Sequence, residues 1–140
     1  MQPISVSGLG LVILMAGIVV ARGAQHSADT LGQVKARVQA KQAVLIDVWE
    51  RGEWNRGHLE GALLIPLSVL FEWQRDGINP AQRAQLDRAI PRGTILYCHC
   101  ASGGRAISAG EILRGLGYDA RPLREGYRDL LAAGFPQSQK

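Results

Sequence analysis

The sequence predicts a one-domain α/β fold, a mainly parallel central sheet flanked by helices, preceded by an N-terminal hydrophobic helix. Three observations predict it. The chain has 140 residues, which is room for one domain at about 100 to 200 residues each. Its 46% hydrophobic content and 6 prolines suit a packed core and not a disordered or fibrous chain. Short apolar, β-branched runs alternate with stretches of helical period, the pattern of parallel strands joined by crossover helices.

The elements follow in order. Asp29 and Thr30 are candidate N-caps for a first helix, whose apolar positions Leu31, Val34 and Val38 share one face. Ala43–Val48 is a continuous apolar run, too short for a helix, and reads as a strand buried on both faces. Ala62–Ile65 is a second short strand, stopped by Pro66. Ser68 is placed to cap a helix over Val69–Arg75, which Gly77 breaks, and Asn79-Pro80 opens another with Leu86 and Ile90 inward. Pro91-Arg92-Gly93 turns the chain into a third strand, Thr94–His99. Arg105–Leu116 is a helix with Ala106, Ala109, Leu113 and Leu116 on one face, ended by Gly117. Asp119–Leu123 is a fourth strand and Tyr127–Ala133 a last helix, closed by Gly134 and Pro136.

The N-terminus has a different character. Residues 4–21 carry no charge, and Leu9–Ala21 is an almost unbroken apolar run. Eighteen residues at 1.5 Å each reach about 27 Å, just short of a ~30 Å hydrocarbon core, so a short membrane anchor and a signal-peptide core both remain open. No basic residue precedes the run and its cleavage pattern is poor, whereas Arg22, Lys35, Arg37 and Lys41 follow it. The expectation is an uncleaved anchor with the folded domain on the cytoplasmic side, the alternative being export after signal cleavage. The expected organisation is therefore a hydrophobic segment over 1–23, a linker over 24–29 and a domain over 30–137.

Charge and cysteine content exclude other classes. The 16 basic residues exceed the 12 acidic ones by 4 and form no run, so nucleic acid is not an expected partner. Two cysteines, Cys98 and Cys100, are too few and too close for a disulfide framework. Strand alternation sends His99 to the face opposite both thiols, so no metal site and no cofactor are expected.

Chemistry concentrates in Cys100-Ala101-Ser102-Gly103-Gly104-Arg105, between a buried strand and a helix, where ligands of open α/β sheets bind. Small residues and glycines let successive backbone N–H groups turn inward as a nest. The helix N-terminus adds about half a positive charge and Arg105 a full one. A thiol at such a loop is favoured as the thiolate, so Cys100 is the candidate nucleophile, with Ala101 to Arg105 as the anion-binding loop. Asp47, Cys98 and His99 are candidate accessory residues. Asp47 ends a strand and reads equally as a cap for the next turn. Cys98 lies on the same side as Cys100 and reads either as a partner in a strained disulfide or, more simply, as a small core residue.

The motif Cys100-x-Ser-Gly-x-Arg105-Ala106 resembles the active-site loop of rhodanese sulfurtransferases. Asp47-Val48, Glu50, Glu53, Gly57-His58-Leu59-x-Gly61-Ala62 and Ile65-Pro66 are similar to that family's signature between its second and third strands. Leu123-x-x-Gly126 and Ala133-Gly134-Phe135-Pro136 resemble its closing motifs, so the likeness covers about residues 30 to 137. The chain departs from the pattern at Trp49, Glu60, Glu125 and Leu130. The resemblance implies a single rhodanese-like domain in which Cys100 takes a sulfane sulfur from a donor such as thiosulfate, holds it as a persulfide and passes it to a thiol acceptor. Cysteine phosphatases and arsenate reductases place five residues between Cys and Arg, whereas four stand between Cys100 and Arg105, which ranks that chemistry second. A non-catalytic binding module of the same fold is a third reading, opposed by the intact Cys100 and Arg105.

Overall fold

The computed structural model describes residues 25–139. The hydrophobic segment expected over 1–23 lies outside them, and among the described residues no helix is long and apolar enough to cross a membrane. Four strands, β1 (Ala43–Asp47), β2 (Leu63–Leu64), β3 (Ile95–His99) and β4 (Asp119–Pro122), form one sheet in the order β2-β1-β3-β4. All three pairings are parallel, as the alternation of element types requires. The helices are α1 (Leu31–Gln39), α2 (Arg51–Trp54), α3 (Leu67–Asp76), α4 (Pro80–Ala89), α5 (Gly104–Gly115) and α6 (Tyr127–Ala132).

Two cores lie on the two faces of the sheet. Ile46, Val48, Leu96, Cys98, Cys100 and Ala120 point to the side covered by α3, α4 and α5. Ala43, Leu45 and Tyr97 point to the other, beneath α1 and α6. The alternation is the period of two of an extended strand. It explains the continuous apolar runs of β1 and β3, since both faces of a central strand are buried.

Local signals account for several helix starts. Thr30 caps α1, with the Gln33 N–H donating to Thr30 Oγ1 at 3.2 Å and the Thr30 N–H to Gln33 Oε1 at 2.9 Å. Asn79 and Gln82 make the same reciprocal pair at the start of α4, with Pro80 in its first turn. Three expectations are corrected. The α3 helix begins at Leu67 behind Pro66, and Ser68 does not cap it. Both the backbone N–H and the hydroxyl of Ser68 instead donate to the Glu50 carboxylate, at 3.1 and 2.8 Å. The second strand shrinks to Leu63–Leu64, because only Ile46 and Asp47 of β1 pair with it. The four-residue α2 was not foreseen, since one turn leaves no readable period.

The segment expected as a linker is tied to the domain. The Ser27 N–H donates to the Pro122 carbonyl at 2.7 Å, and Asp29 Oδ2 accepts from Tyr97, at 2.7 Å, and from Arg121, at 2.9 Å. Arg37 lies 2.8 Å from the same oxygen. Burial would raise the Asp29 pKa, but the hydrogen bonds from Tyr97, Arg121 and Arg37 outweigh it and hold the carboxyl well below the usual range.

Helix α5 packs closely on β4, and Gly110 is where they meet. A Cβ at Gly110 would lie 2.7 Å from the Pro122 ring, whereas one at Gly115 of the same helix meets nothing within 4 Å. Gly115→Ala is expected to raise stability by about 0.5 to 1 kcal/mol through helix propensity. Gly110→Ala is expected to lower it by about 1 to 3 kcal/mol through overpacking. Thermal melts of the two variants decide this, and a Gly110→Ala protein as stable as Gly115→Ala would refute the close packing.

Candidate active site

Strand order reverses between β1 and β3. The chain runs from β1 outward to β2, returns through α3 and α4 to β3 on the far side of β1, and continues outward to β4. Ligands of open α/β sheets bind at the carboxyl ends of the strands at such a reversal. Cys100 stands there, one residue beyond β3, and the loop after it leads into α5 at Gly104.

The loop wraps its own sulfur. The Gly103 N–H donates to Cys100 Sγ at 3.0 Å. Gly103 has φ +89°, in the left-handed region that favours glycine, and a Cβ there would lie 2.7 Å from the Arg124 carbonyl oxygen. The first N–H groups of α5 have no partners within the helix and face the same region with the positive end of its dipole. Cys100 is 1% exposed, so the sulfur sits at the base of the loop. Beside it opens a pocket of about 330 Å³ lined by Trp49, Ala101, Tyr127 and Arg128. A larger cleft, about 590 Å³, lies at the opposite end of the sheet against Arg83, Arg92, Thr94 and Tyr118, remote from the thiol.

The turn before α6 holds the loop from outside. The Tyr127 N–H donates to the Cys100 carbonyl at 3.0 Å. Gly126 allows this approach, because a Cβ there would overlap the Ala101 carbonyl oxygen. The Gly126 N–H in turn donates to Asp129 Oδ2 at 3.0 Å, and the Tyr127 ring packs on Trp49 with centroids 5.0 Å apart.

Arg105, expected in the anion-binding loop, is held in a charge pair. Its guanidinium forms a two-pronged pair with Glu53, Nη1 to Oε2 at 2.7 Å and Nη2 to Oε1 at 2.8 Å, so its charge is matched and is not aimed freely at an incoming anion. The Arg105 hydrogen bonds hold the Glu53 carboxyl down at about 2. Glu53 also accepts from the Glu50 N–H at 3.0 Å, so the fork joins the start of α5 to α2.

The accessory residues separate by face. Asp47 and His99 are register partners on β1 and β3, both fully buried. Asp47 Oδ1 accepts from the Trp49 N–H at 2.9 Å, the turn-capping reading. His99 Nε2 lies 3.5 Å from Asp47 Oδ2, and neither ring nitrogen has a hydrogen-bond partner among the described residues. By strand alternation this pair lies on the α1/α6 side of the sheet, away from both thiols. Cys98 and Cys100 are both free. Cys98 is fully buried, and burial pushes its thiol up to about 12, so it belongs to the core and not to the thiolate chemistry. His58 is likewise local, stacked on Trp54 at 3.6 Å and donating from Nδ1 to the Trp54 carbonyl at 3.1 Å. Among the described residues no group of three or more His, Cys, Asp or Glu is placed to hold a metal ion.

Residues 30–133 match the family model of the Rhodanese-like domain, most of the 140-residue chain. The chain belongs to the rhodanese-like domain family. This rhodanese domain is similar to a human single-domain sulfurtransferase at 29% identity and a TM-score of 0.56, over 73% of this chain and 92% of that one. Its fold is also that of a single-domain sulfurtransferase of Saccharomyces cerevisiae, at 24% identity and a TM-score of 0.59, over 76% and 89% of the two chains. An HTH-type transcriptional regulator of Mycobacterium tuberculosis is 29% identical over 116 residues, 81% of this chain and 46% of that protein. The chain thus spans about half the length of that curated relative.

Among the residues around the rhodanese loop, Tyr127, Arg128 and His26 carry no sequence signal of their own, whereas Glu53 and Gly126 stand in the motifs without their partners being readable. The Glu53–Arg105 fork makes a pH-dependent contribution. Because the Glu53 carboxyl is held below its ordinary 4.5, the stability it adds is complete above that value and is lost as pH falls toward about 2. Both side chains are about one-third exposed, so the contribution is about 0.2 to 1 kcal/mol. Glu53→Gln is therefore expected to melt lower than wild type at neutral pH, with the gap closing on acidification. A gap that is absent at neutral pH, or constant with pH, would show that the fork adds no charge-dependent stability.

Proposed function

We propose that this domain transfers a sulfane sulfur from a small anionic donor, such as thiosulfate, to a thiophilic acceptor through a persulfide on Cys100. The observation that carries the reading is the Gly103 N–H directed at Cys100 Sγ, 3.0 Å away, in a loop that opens α5. Family membership and the similarity to a human single-domain sulfurtransferase support the same chemistry.

In the first half-reaction the Cys100 thiolate attacks the outer sulfur of thiosulfate. The new Cys–S bond forms as the donor S–S bond breaks, and sulfite leaves with the bonding pair, giving Cys–S–S⁻. In the second, a thiolate or cyanide attacks the terminal sulfur, and Cys100 leaves as thiolate. No proton moves between heavy atoms in either step, so no general acid or base is needed beside the loop. Inward-facing N–H groups stabilise charge on the terminal sulfur at fixed positions. The adjoining pocket contains one cation, Arg128, and no carboxylate among its lining residues, which suits an anionic donor over a neutral one.

The test is the intact mass of the purified full-length protein after thiosulfate treatment. Wild type is expected to gain about 32 Da, one sulfur atom held by the nucleophile, and to lose it to cyanide, while Cys100→Ser gains nothing. A wild type that gains no sulfur from thiosulfate or another sulfane donor would overturn the reading.

A further inference from the structure

We propose that His26 is a positioning residue for sulfur transfer, holding the Gly103 carbonyl outward so that the next N–H, that of Gly104, stays turned into the loop around Cys100. His26 lies before residues 30–133, the stretch matched to the family, and 77 positions from its loop partner. The inference rests on the sulfur-transfer reading of this site.

The geometry is a consequence of the planar peptide. Since Gly103 O is a carbonyl, His26 Nε2 donates to it, at 3.0 Å. In a trans peptide the carbonyl and the following N–H point in opposite directions. Fixing the Gly103 carbonyl on His26 therefore fixes the Gly104 N–H on the far side of the same plane. Gly104 is the first residue of α5, and its N–H has no intrahelical acceptor. The preceding N–H, that of Gly103, already donates to Cys100 Sγ. The Gly104 N–H is thereby held on the side of its peptide facing away from His26, next in sequence to the donor already on the sulfur, and successive inward donors of this kind stabilise anionic charge.

Gly103 needs such a restraint. Its φ of +89° and its lack of a side chain leave the two flanking peptides free to rotate. Where a Cβ would stand it is crowded by the Arg124 carbonyl oxygen, at 2.7 Å, and by His26 Nε2, at 3.0 Å. His26 is itself held, because Ser27 donates to the Pro122 carbonyl and Asp29 is clasped by Tyr97, Arg37 and Arg121. The strap is anchored to β3, β4 and α1 and delivers one imidazole to the loop.

The experiment measures single-turnover persulfide formation from thiosulfate in full-length wild type, His26→Ala and His26→Gln, with a thermal melt of each. Loss of the restraint is expected to lower the maximal rate of Cys100 persulfide formation on the order of tenfold, because displaced donors weaken charge stabilisation in the transition state. The half-saturating thiosulfate concentration and the melting temperature are expected to stay near wild type. His26→Gln, whose amide can donate to the same carbonyl, is expected to recover most of the rate. A His26→Ala protein as fast as wild type would overturn the inference. So would a rate loss that tracks a lowered melting temperature and is not recovered by Gln, which would make His26 merely structural. If wild type itself takes no sulfur, the sulfur-transfer reading fails, and this inference falls with it.

Discussion

A loop that turns its N–H groups inward must turn its carbonyls outward, and buried carbonyls need donors. Much of the architecture around Cys100 meets that requirement. The Cys100 carbonyl accepts from Tyr127, on the turn that enters α6, and the Gly103 carbonyl accepts from His26, on the strap before α1. The Ala101 carbonyl presses so closely on residue 126 that only glycine fits. Two segments far apart in sequence, the strap at His26 and the turn at Gly126 and Tyr127, therefore converge on the loop. The parallel sheet makes this convergence available, because the carboxyl ends of β1, β3 and β4 all open on one side.

The electrostatics of the loop follow from the same design. Arg105 is the nearest formal positive charge in the motif, yet Glu53 neutralises it in a two-pronged pair. What remains at the sulfur is the field of oriented amides and of the α5 N-terminus, worth about half a charge and falling off within one turn. The Arg105–Glu53 fork still matters, because it fixes the first turn of α5 against α2 and so keeps those amides in place.

Sequence legibility tracked the range of the interactions. β1 and β3 were readable because each is an apolar run whose burial on both faces follows from its composition alone, and α1 and α4 because their caps, Thr30 with Gln33 and Asn79 with Gln82, are three residues apart. The Cys100 loop was readable for the same reason, its glycines and nucleophile being contiguous. Features set by distant partners were not. Ser68 has the chemistry of a helix cap, but a carboxylate 18 residues away captures it. The strap over residues 25–29 has no period and reads as a linker, and its order comes from bonds to Tyr97, Gly103 and Arg121. Glu53 and Gly126 stood in recognisable motifs, but nothing in their own neighbourhoods names Arg105 or Ala101 as the group each meets.

The two cysteines show where pattern ends and depth begins. Residues two apart on a strand share a face, so alternation places Cys98 and Cys100 on the same side and cannot rank them. Depth along the strand ranks them. Cys98 lies within β3, flanked by Ile46 on β1 and Pro122 on β4, and packs among apolar side chains that push its thiol up to about 12. It stays a neutral thiol at neutral pH, and a neutral thiol neither attacks a persulfide nor competes for a sulfur donor. Cys100 is two residues further on, one past the last residue of β3, where the backbone leaves the sheet and the Gly103 N–H reaches the sulfur. Two residues along the strand axis move a thiol from core packing to the start of the loop. That step separates a cysteine that fills space from one whose sulfur meets a backbone donor.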